Sequence, residues 1–313
     1  MTISILWLLF GLALVVAGAN ILVDGSSSLA RKLGVSEFVI GLTIVGFGTS
    51  LPELVVSVTG AIQGNSDIAI GNVVGSNVFN ILLILAVSAI VSPIVVTHSN
   101  RMRDIPVTLG VTVLLVLAGA ADGLSRLEGA ILIAFFALYI AACFHFDKKE
   151  AAASSEDSEG KLYPNYLAVL MVIGGLAGLV FGGRLFVNSA EDIARMLKVS
   201  DKFIAITVLA IGTSLPEFVT SLVALAKHRS QMALGNILGS NVFNILLILG
   251  TSALICPMSF AAINFVDFAA LILSALLVYI SVYTGKRNMI DRVDGAIMLV
   301  AFAAYMVWLF ITL

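Results

Sequence analysis

The chain is poor in charged residues and in the side chains that bind soft metals or act as nucleophiles. Only 12% of its 313 residues are Asp, Glu, Lys or Arg, and it contains three histidines and two cysteines. A soluble domain usually has about 25% charged residues, so the composition argues against a soluble enzyme. Because 17 Lys and Arg are balanced by 19 Asp and Glu, the chain also lacks the basic excess that binds nucleic acid.

The sequence is instead rich in long apolar runs. Hydrophobic residues make up 60% of it, and the mean hydropathy is +1.09. A helix needs about 20 apolar residues to cross a bilayer, whereas a barrel strand needs only about 10. The predicted fold class is therefore an all-α membrane protein with ten transmembrane helices. The predicted spans are 3–24, 36–61, 67–92, 104–121, 127–146, 163–187, 201–226, 231–256, 260–283 and 292–312.

The basic residues are distributed unequally between the two sides of the predicted membrane. Twelve of the 17 Lys and Arg residues lie in connections on one side, and five lie on the side that holds both termini. Cytoplasmic loops carry the excess of Lys and Arg. We therefore expect a multi-pass protein of the cell (inner) membrane with both termini outside the cytoplasm.

One polar segment divides the chain. Residues 148–161 contain the run Glu150-Ala-Ala-Ala-Ser-Ser-Glu-Asp-Ser-Glu159 and are predicted to form a cytoplasmic linker without regular structure. The linker separates a first unit, residues 1–147, from a second unit, residues 162–313. Each unit contains five predicted spans.

The two units carry the same motifs at a constant spacing of 164 residues. Gly48-Thr-Ser-Leu-Pro-Glu53 recurs as Gly212-Thr-Ser-Leu-Pro-Glu217. The segment from Gly71 to Asn80, with the pattern GNxxGSNVFN, recurs from Gly235 to Asn244. Since five is odd, the second unit enters the membrane from the opposite side, which predicts two inverted five-helix repeats. Transporters built from such repeats bind their substrates near the bilayer midplane, between the repeats.

The first motif places one carboxylate in the middle of a predicted span in each repeat. An ionised Glu53 or Glu217 at the bilayer centre costs several kcal/mol unless a cation, a proton or water accompanies it. Pro52 has no N–H and so deprives the Gly48 carbonyl of its helical donor. Irregular backbone at this depth is tolerated where it lines a cavity or is buried in protein. Hydroxyl groups accompany both carboxylates: Thr49 and Ser50 in the first repeat, and Thr213 and Ser214 in the second.

The second motif forms a polar stripe along one helix of each repeat. Asn72, Ser76 and Asn80 are four residues apart, and Asn236, Ser240 and Asn244 repeat the spacing. Such a stripe serves either hydrogen bonding between helices or a polar cavity. We favour hydrogen bonding between helices for Asn72, Asn77, Asn236 and Asn241, and a cavity role for Ser76, Asn80, Ser240 and Asn244.

These groups supply oxygen ligands, without imidazole or thiolate. Ca²⁺ takes six to eight oxygens, whereas Zn²⁺ or Cu²⁺ would call for His or Cys. Two carboxylates neutralise one Ca²⁺, or are shared by Na⁺ ions at overlapping positions. Competition for the same two charges is a natural basis for exchange. Ca²⁺ and Na⁺ are therefore expected as transported ions, and no cofactor is expected.

The paired motifs resemble the α-repeats of the cation/Ca²⁺ antiporter superfamily, in its sodium/calcium exchanger branch. The resemblance covers essentially the whole chain, and it implies that spans 1 and 6 slide against a fixed core. The glycines of span 6 are compatible either with such a smooth sliding face or with ordinary tight packing. Many exchangers carry Asp at one of positions 80 and 244, whereas this chain has Asn at both. For Ca²⁺ the resemblance implies the carboxylates of Glu53 and Glu217 and the carbonyls of Thr49 and Thr213 as ligands. For Na⁺ it implies the side chains of Ser50, Ser76, Ser214 and Ser240 and the carbonyls of Gly46 and Ala210. Asn80 and Asn244 would complete the centre of the site.

The predicted function is a secondary antiporter, and not an enzyme, that exchanges Ca²⁺ for Na⁺ by alternating access. Because the site has two ionisable groups instead of three, Ca²⁺/H⁺ exchange and K⁺-dependent exchange stay open. A cation channel would need a continuous pore, and an intramembrane hydrolase would need mid-span Lys, His or Asp partners. The expected partners are Ca²⁺ and Na⁺ as substrates and the lipid bilayer, without nucleic acid, and the expected assembly is a monomer.

Overall fold

The computed structural model describes residues 1–121, 123–154, 161–197, 210–261, 263–284 and 288–312. The first unit is built of α-helices interrupted by π-helical segments, with one short strand in its middle. In order, these are α1 (Thr2–Leu33), α2 (Glu37–Ile40), π1 (Gly41–Val45), α3 (Gly46–Thr49), α4 (Leu51–Ile62), α5 (Ser66–Phe79), π2 (Asn80–Leu85), α6 (Ala86–Val91), β1 (Ile94–Val95), π3 (Asn100–Asp104), α7 (Ile105–Ala120) and α8 (Arg126–Ser154).

The second unit repeats much of this order, but its short strand lies directly before its last helix. Its described elements are α9 (Asn165–Met196), α10 (Ala210–Thr213), α11 (Leu215–Ala226), α12 (Ser230–Phe243), π4 (Asn244–Ile248), α13 (Leu249–Ile255), α14 (Phe265–Ser281), β2 (Met289–Ile290) and α15 (Arg292–Thr312). The first part of the predicted span 201–226 lies outside the described residues.

The protein is an all-helical membrane protein apart from its short strands. Seven described helices are long and apolar enough to cross a membrane, and an eighth is obtained if the bent pair Glu37–Thr49 and Leu51–Ile62 counts as one span. Two further predicted spans contain the shorter apolar helices α11 and α14. Each of the ten predicted spans therefore contains a helix, although length and composition identify only seven or eight as membrane-crossing.

The helix break predicted at the first motif is present in both units. The segments on either side of Ser50 are bent by 50°, and α4 begins at Leu51 with proline in its first turn. In the second unit, Ser214 separates α10 from α11 in the same way. Proline is tolerated in the first turn of a helix because the N–H it lacks would have no helical partner there. The break therefore turns one predicted span into two half-helices.

Glycines bring α1 and α9 into close contact. A Cβ atom added to Gly18 would lie 2.8 Å from the Gly175 carbonyl oxygen, and one added to Gly175 would lie 2.8 Å from the Gly18 carbonyl oxygen. Gly11 and Gly182 form a second pair, at 2.9 Å in both directions. Small residues permit such close approach of helix backbones in membranes. These glycines therefore hold α1 and α9 together, and they do not leave a smooth face free towards the core.

The glycine contacts between the two units are reciprocal, because the 164-residue spacing exchanges the pair Gly18–Gly175 with the pair Gly11–Gly182. The strand contacts are similar but not identical. Ile94 of β1 pairs with Ile290 of β2, whereas Met258, which is 164 residues after Ile94, forms a β-bridge with Leu124, two residues before the position equivalent to Ile290. The two units therefore make similar contacts with each other.

One prediction about the linker is wrong. Helix α8 continues to Ser154, so residues 148–154 are helical and not irregular. Lys, Glu and Ala are strong helix formers, and a membrane helix that ends in them continues beyond the apolar run. The remaining linker residues 155–160 lie outside the described residues.

Candidate ion-binding site

The two carboxylates occupy equivalent positions at the starts of half-helices. Glu53 lies in the first turn of α4 and Glu217 in the first turn of α11, and each is only 1% exposed. The N-terminal end of a helix carries a partial positive charge that favours a carboxylate. The helix break thus places each Glu where the backbone stabilises its negative charge.

Hydroxyl groups from the opposite unit contact each carboxylate. The Ser50 hydroxyl donates a hydrogen bond of 2.9 Å to Glu217 Oε1, and Thr49 also lies beside Glu217. Thr213 and Ser214 lie beside Glu53 in the equivalent positions, although the Ser214 hydroxyl has no hydrogen-bond partner among the described residues. The first motif of each unit therefore surrounds the carboxylate of the other, and all of these groups meet in one place.

Asn72 and Asn236 attach the half-helices to the neighbouring spans. Asn236 Nδ2 donates to the Glu217 carbonyl oxygen at 3.2 Å and to Ser221 Oγ at 2.9 Å. Asn72 Nδ2 makes the same two bonds, at 3.1 Å to the Glu53 carbonyl oxygen and at 2.9 Å to the Ser57 hydroxyl. These two asparagines thus make the hydrogen bonds between helices that the sequence favoured for them, and they fix the backbone of both carboxylate residues.

Four oxygen atoms at this centre are buried without a hydrogen-bond partner among the described residues. They form two equivalent pairs: Glu53 Oε2 with Glu217 Oε2, and Asn80 Oδ1 with Asn244 Oδ1. The hydroxyls of Ser214 and Ser240 are also buried and unpartnered in that part of the chain. An unsatisfied buried polar atom costs about 1–3 kcal/mol. Buried acceptors without donors are what a bound cation would satisfy, and all of these ligand atoms are oxygens, as a hard cation requires.

The sequence motifs did not predict the π-helical segments. Asn80 is the first residue of π2 and Asn244 is the first residue of π4. A π-helical turn inserts one residue into the helix, changes which side chains share a face, and is frequent at functional sites. The apolar sequence Asn-Ile-Leu-Leu-Ile that follows in both units gave no sign of the irregular turn.

The structure brings most of the predicted site residues into the protein interior. Thr213 is half-buried, and Ala210 begins α10, although its burial is not described. The following predicted residues are buried: Gly46, Thr49, Ser50, Glu53, Ser76, Asn80, Ser214, Glu217, Ser240 and Asn244.

The surroundings of the two half-helices are unequal despite their equivalent sequences. In α4, Val55 is 53% and Val56 is 37% exposed, whereas their equivalents in α11, Val219 and Thr220, are 9% and 1% exposed. Helix α11 packs against α1. Beyond its end, Lys227 Nζ lies 2.7 Å from an Asp24 carboxylate oxygen. Helix α11 is therefore covered more completely than α4.

A second buried polar cluster was missed by the sequence reasoning. The Asp104 carboxylate accepts hydrogen bonds from Arg103 Nε at 2.8 Å and from the Tyr139 hydroxyl at 3.0 Å. Arg103 also pairs with Asp147 at 3.2 Å, and the Ser36 hydroxyl donates to Asp147. The sequence feature that could have indicated this cluster is the four-residue spacing of Asn100, Asp104, Thr108 and Thr112, which places these polar residues on one face of a helix. Because Ser36 caps α2, the cluster anchors the span that leads to the first motif.

An all-helical membrane protein with converging buried oxygens belongs to the class of membrane cation transporters. The comparison with known families is specific: the model of the sodium/calcium exchanger protein family matches residues 3–145 and 167–311. This chain belongs to that family.

Similar proteins cover nearly the whole chain. It is 38% identical over 317 residues to the putative antiporter CaxA of Alkalimonas amylolytica, which covers 99% of both chains. It is 33% identical over 354 residues to the sodium/calcium exchanger MaX1 of Methanosarcina acetivorans, again with 99% of each covered. Among solved structures, the sodium-calcium exchanger NCX_Mj soaked with 10 mM Na⁺ and zero Ca²⁺ matches with a TM-score of 0.85 and 33% identity, covering 98% of this chain and 99% of that one.

Proposed function

We propose that the protein exchanges Ca²⁺ for Na⁺ across the membrane by alternating access. In this proposal the chain forms ten transmembrane helices in two inverted five-helix repeats, residues 1–147 and 162–313. The ions bind at the midplane between the repeats. The observation that carries the proposal is the set of four unpartnered buried oxygens contributed in equal pairs by both units.

The two carboxylates form the Ca²⁺ site of this proposal. Glu53 and Glu217 supply a charge of −2, which one Ca²⁺ neutralises. Asn80 and Asn244 add amide oxygens, and the backbone carbonyls of the broken segments complete the six to eight ligands that Ca²⁺ takes. A bound Ca²⁺ would satisfy all four unpartnered oxygens at once.

Na⁺ ions occupy flanking positions that share the same carboxylates. Their ligands in this proposal are the hydroxyls of Ser50, Ser76, Ser214 and Ser240 and the carbonyl oxygens of Gly46 and Ala210. Since Ser50 contacts Glu217 directly, Na⁺ beside Ser50 and Ca²⁺ at the centre would compete for one carboxylate. That competition is the physical basis of exchange.

The unequal exposure of the two half-helices supports alternating access. With the predicted orientation, α4 faces the outside and α11 faces the cytoplasm, so the protein is in an outward-open state. Because the glycine pairs lock α1 to α9, these two helices would move as one body. Their movement towards α4 and away from α11 would close the outer side and open the inner one.

The test is radiolabelled Ca²⁺ uptake into proteoliposomes under outward gradients of Na⁺, K⁺, Na⁺ with K⁺, and H⁺. Uptake driven by Na⁺ alone is the expected result. Uptake that requires H⁺ or K⁺ would keep the site and reassign the coupling ion. Absence of uptake under every gradient, or sustained conductance in a bilayer recording, would refute antiport of Ca²⁺.

A further inference from the structure

The amide groups of Asn80 and Asn244 are held by side chains of the opposite unit. Asn244 Nδ2 donates to Asn77 Oδ1 at 2.9 Å, and Asn80 Nδ2 donates to Asn241 Oδ1 at 3.0 Å. All four side chains are buried, with at most 2% exposed. Both amide nitrogens are therefore used between the units, and both amide oxygens, Asn80 Oδ1 and Asn244 Oδ1, are left without partners in the described structure.

The orientation of an amide decides whether it attracts or repels a cation. Its oxygen accepts, whereas its NH₂ group only donates. If the Asn244 amide turned over, its NH₂ group would face the ions and its oxygen would face Asn77 Oδ1, which is also an acceptor. The acceptor at Asn77 therefore excludes the wrong orientation of Asn244, and Asn241 excludes it for Asn80.

We propose that Asn77 and Asn241 are positioning residues that aim the amide oxygens of Asn244 and Asn80 at the transported ions. The proposal rests on the function proposed above and extends it to two residues for which the sequence favoured helix packing alone. Both roles are present in the structure. Asn77 Nδ2 donates to the Asn241 carbonyl oxygen at 3.3 Å, and Asn241 Nδ2 returns the bond at 3.4 Å. The NH₂ groups thus join the helices, while the Oδ1 atoms orient the ligands.

Substitution of the oriented ligand separates the two roles. A carboxylate at position 244 has two equivalent oxygens and presents one to the ions whichever way it turns. It has no N–H to donate to Asn77 Oδ1, so Asn77→Ala removes no orienting hydrogen bond in that background. Asn77→Ala should therefore weaken Ca²⁺ binding in the otherwise native protein and have little effect in the Asn244→Asp background. Asn80→Asp is the matched control, because it adds the same charge at the position that Asn77 does not address.

The experiment is a double-mutant cycle on the purified full chain, with the Ca²⁺ dissociation constant measured by calorimetry. Loss of one orienting hydrogen bond predicts roughly fivefold to tenfold weaker binding for Asn77→Ala. In the Asn244→Asp background, adding Asn77→Ala should weaken Ca²⁺ binding less than about twofold. In the Asn80→Asp background it should weaken binding by the same fivefold to tenfold as in the native protein. Asn241→Ala should show the converse pattern, with its penalty lost only in Asn80→Asp.

Equal penalties in all three backgrounds would show that Asn77 acts through packing alone and would overturn the inference. No penalty in any background would overturn it as well. If Asn77→Ala does not fold, Asn77→Leu keeps a side chain branched at the same carbon, removes the acceptor and gives the same comparison. A native protein that binds no Ca²⁺ would refute the proposed function itself and the inference with it, and that outcome is distinct because it requires no variant.

Discussion

Replacing Glu217 by Gln separates two effects of the buried carboxylate pair: mutual repulsion when no ion is bound, and attraction of Ca²⁺. Without a cation, Glu53 and Glu217 are buried like charges close enough to interact electrostatically. Glutamine has nearly the same shape, and its oxygen still accepts the hydrogen bond that Ser50 donates to Glu217 Oε1. We therefore expect the ion-free Glu217→Gln protein to be at least as stable as the native one, because one charge of a repelling pair is removed.

With Ca²⁺ the expected effect has the opposite sign. Removing one partner from a buried ionic group costs about 3–5 kcal/mol, which corresponds to roughly two to four orders of magnitude in Ca²⁺ affinity. At a Ca²⁺ concentration of about 100 times the native dissociation constant, binding stabilises the native protein by about 2.7 kcal/mol. The variant should gain almost nothing at that concentration.

The assay is thermal unfolding in detergent, with a Ca²⁺ chelator and then with saturating Ca²⁺. Glu128→Gln is the matched control, because Glu128 is exposed and contacts only Ser125 among its described hydrogen-bond partners. The control should keep the Ca²⁺-dependent rise in melting temperature, and Glu217→Gln should lose it. A full Ca²⁺-dependent rise in Glu217→Gln would refute the assignment of this carboxylate to the ion site.

Three further changes test the architecture around the site. Lys227→Met removes the ion pair with Asp24, which is partly exposed and contributes at most about 1 kcal/mol to stability. The rate of deuterium uptake in α11 should therefore rise up to about fivefold, and an unchanged rate would show that the ion pair does not hold α11 in place. Gly175→Val places side-chain atoms against the α1 backbone and should destabilise the protein by about 1–3 kcal/mol in thermal unfolding. The control is Gly174→Val, which should have little effect because an added Cβ there meets no described neighbour within 4 Å. Equal losses of stability in the two variants would contradict the close α1–α9 contact. Asp147→Ala leaves Arg103 with one carboxylate partner fewer and should cost about 3 kcal/mol in the same assay, with exposed Asp67→Asn as the neutral control; a loss no larger than that of the control would contradict a structural role for the cluster.

The helix break and the two buried carboxylates could be predicted from local chemistry. A proline four residues after Gly48 removes a specific helical hydrogen bond, so the break at Ser50 could be placed within a turn. Glu53 and Glu217 stood out because a carboxylate is costly in an apolar span, and the 164-residue spacing related every such feature in one unit to one in the other. These signals require no knowledge of the packing of distant helices.

The parts that sequence missed depend on contacts between distant segments. The π-helical turns at Asn80 and Asn244 follow from packing in the core, since the apolar residues after them are equally compatible with a regular helix. The ends of α8 and α9 extend beyond the apolar runs because helix propensity continues where hydropathy stops. The Arg103–Asp104–Asp147 cluster joins residues at or just beyond the ends of two predicted spans, 104–121 and 127–146, and hydropathy alone does not show that these two ends meet.

The unequal burial of equivalent residues gives the clearest link between structure and transport. Val219 and Thr220 are buried where Val55 and Val56 are exposed, although both pairs follow the same motif. Closure along α11 also has a cost, because the hydroxyls of Ser26 on α1 and Thr220 on α11 are buried without partners as far as the structure is described. Each such hydroxyl costs about 1–3 kcal/mol of stability. Separation of α1 from α11 would expose apolar residues, which is unfavourable, but it would also let water bond these hydroxyls and so recover part of that free energy. In the proposed alternating access the two units exchange these surroundings, and unsatisfied hydroxyls on the covered side keep the free-energy difference between the two proposed states small.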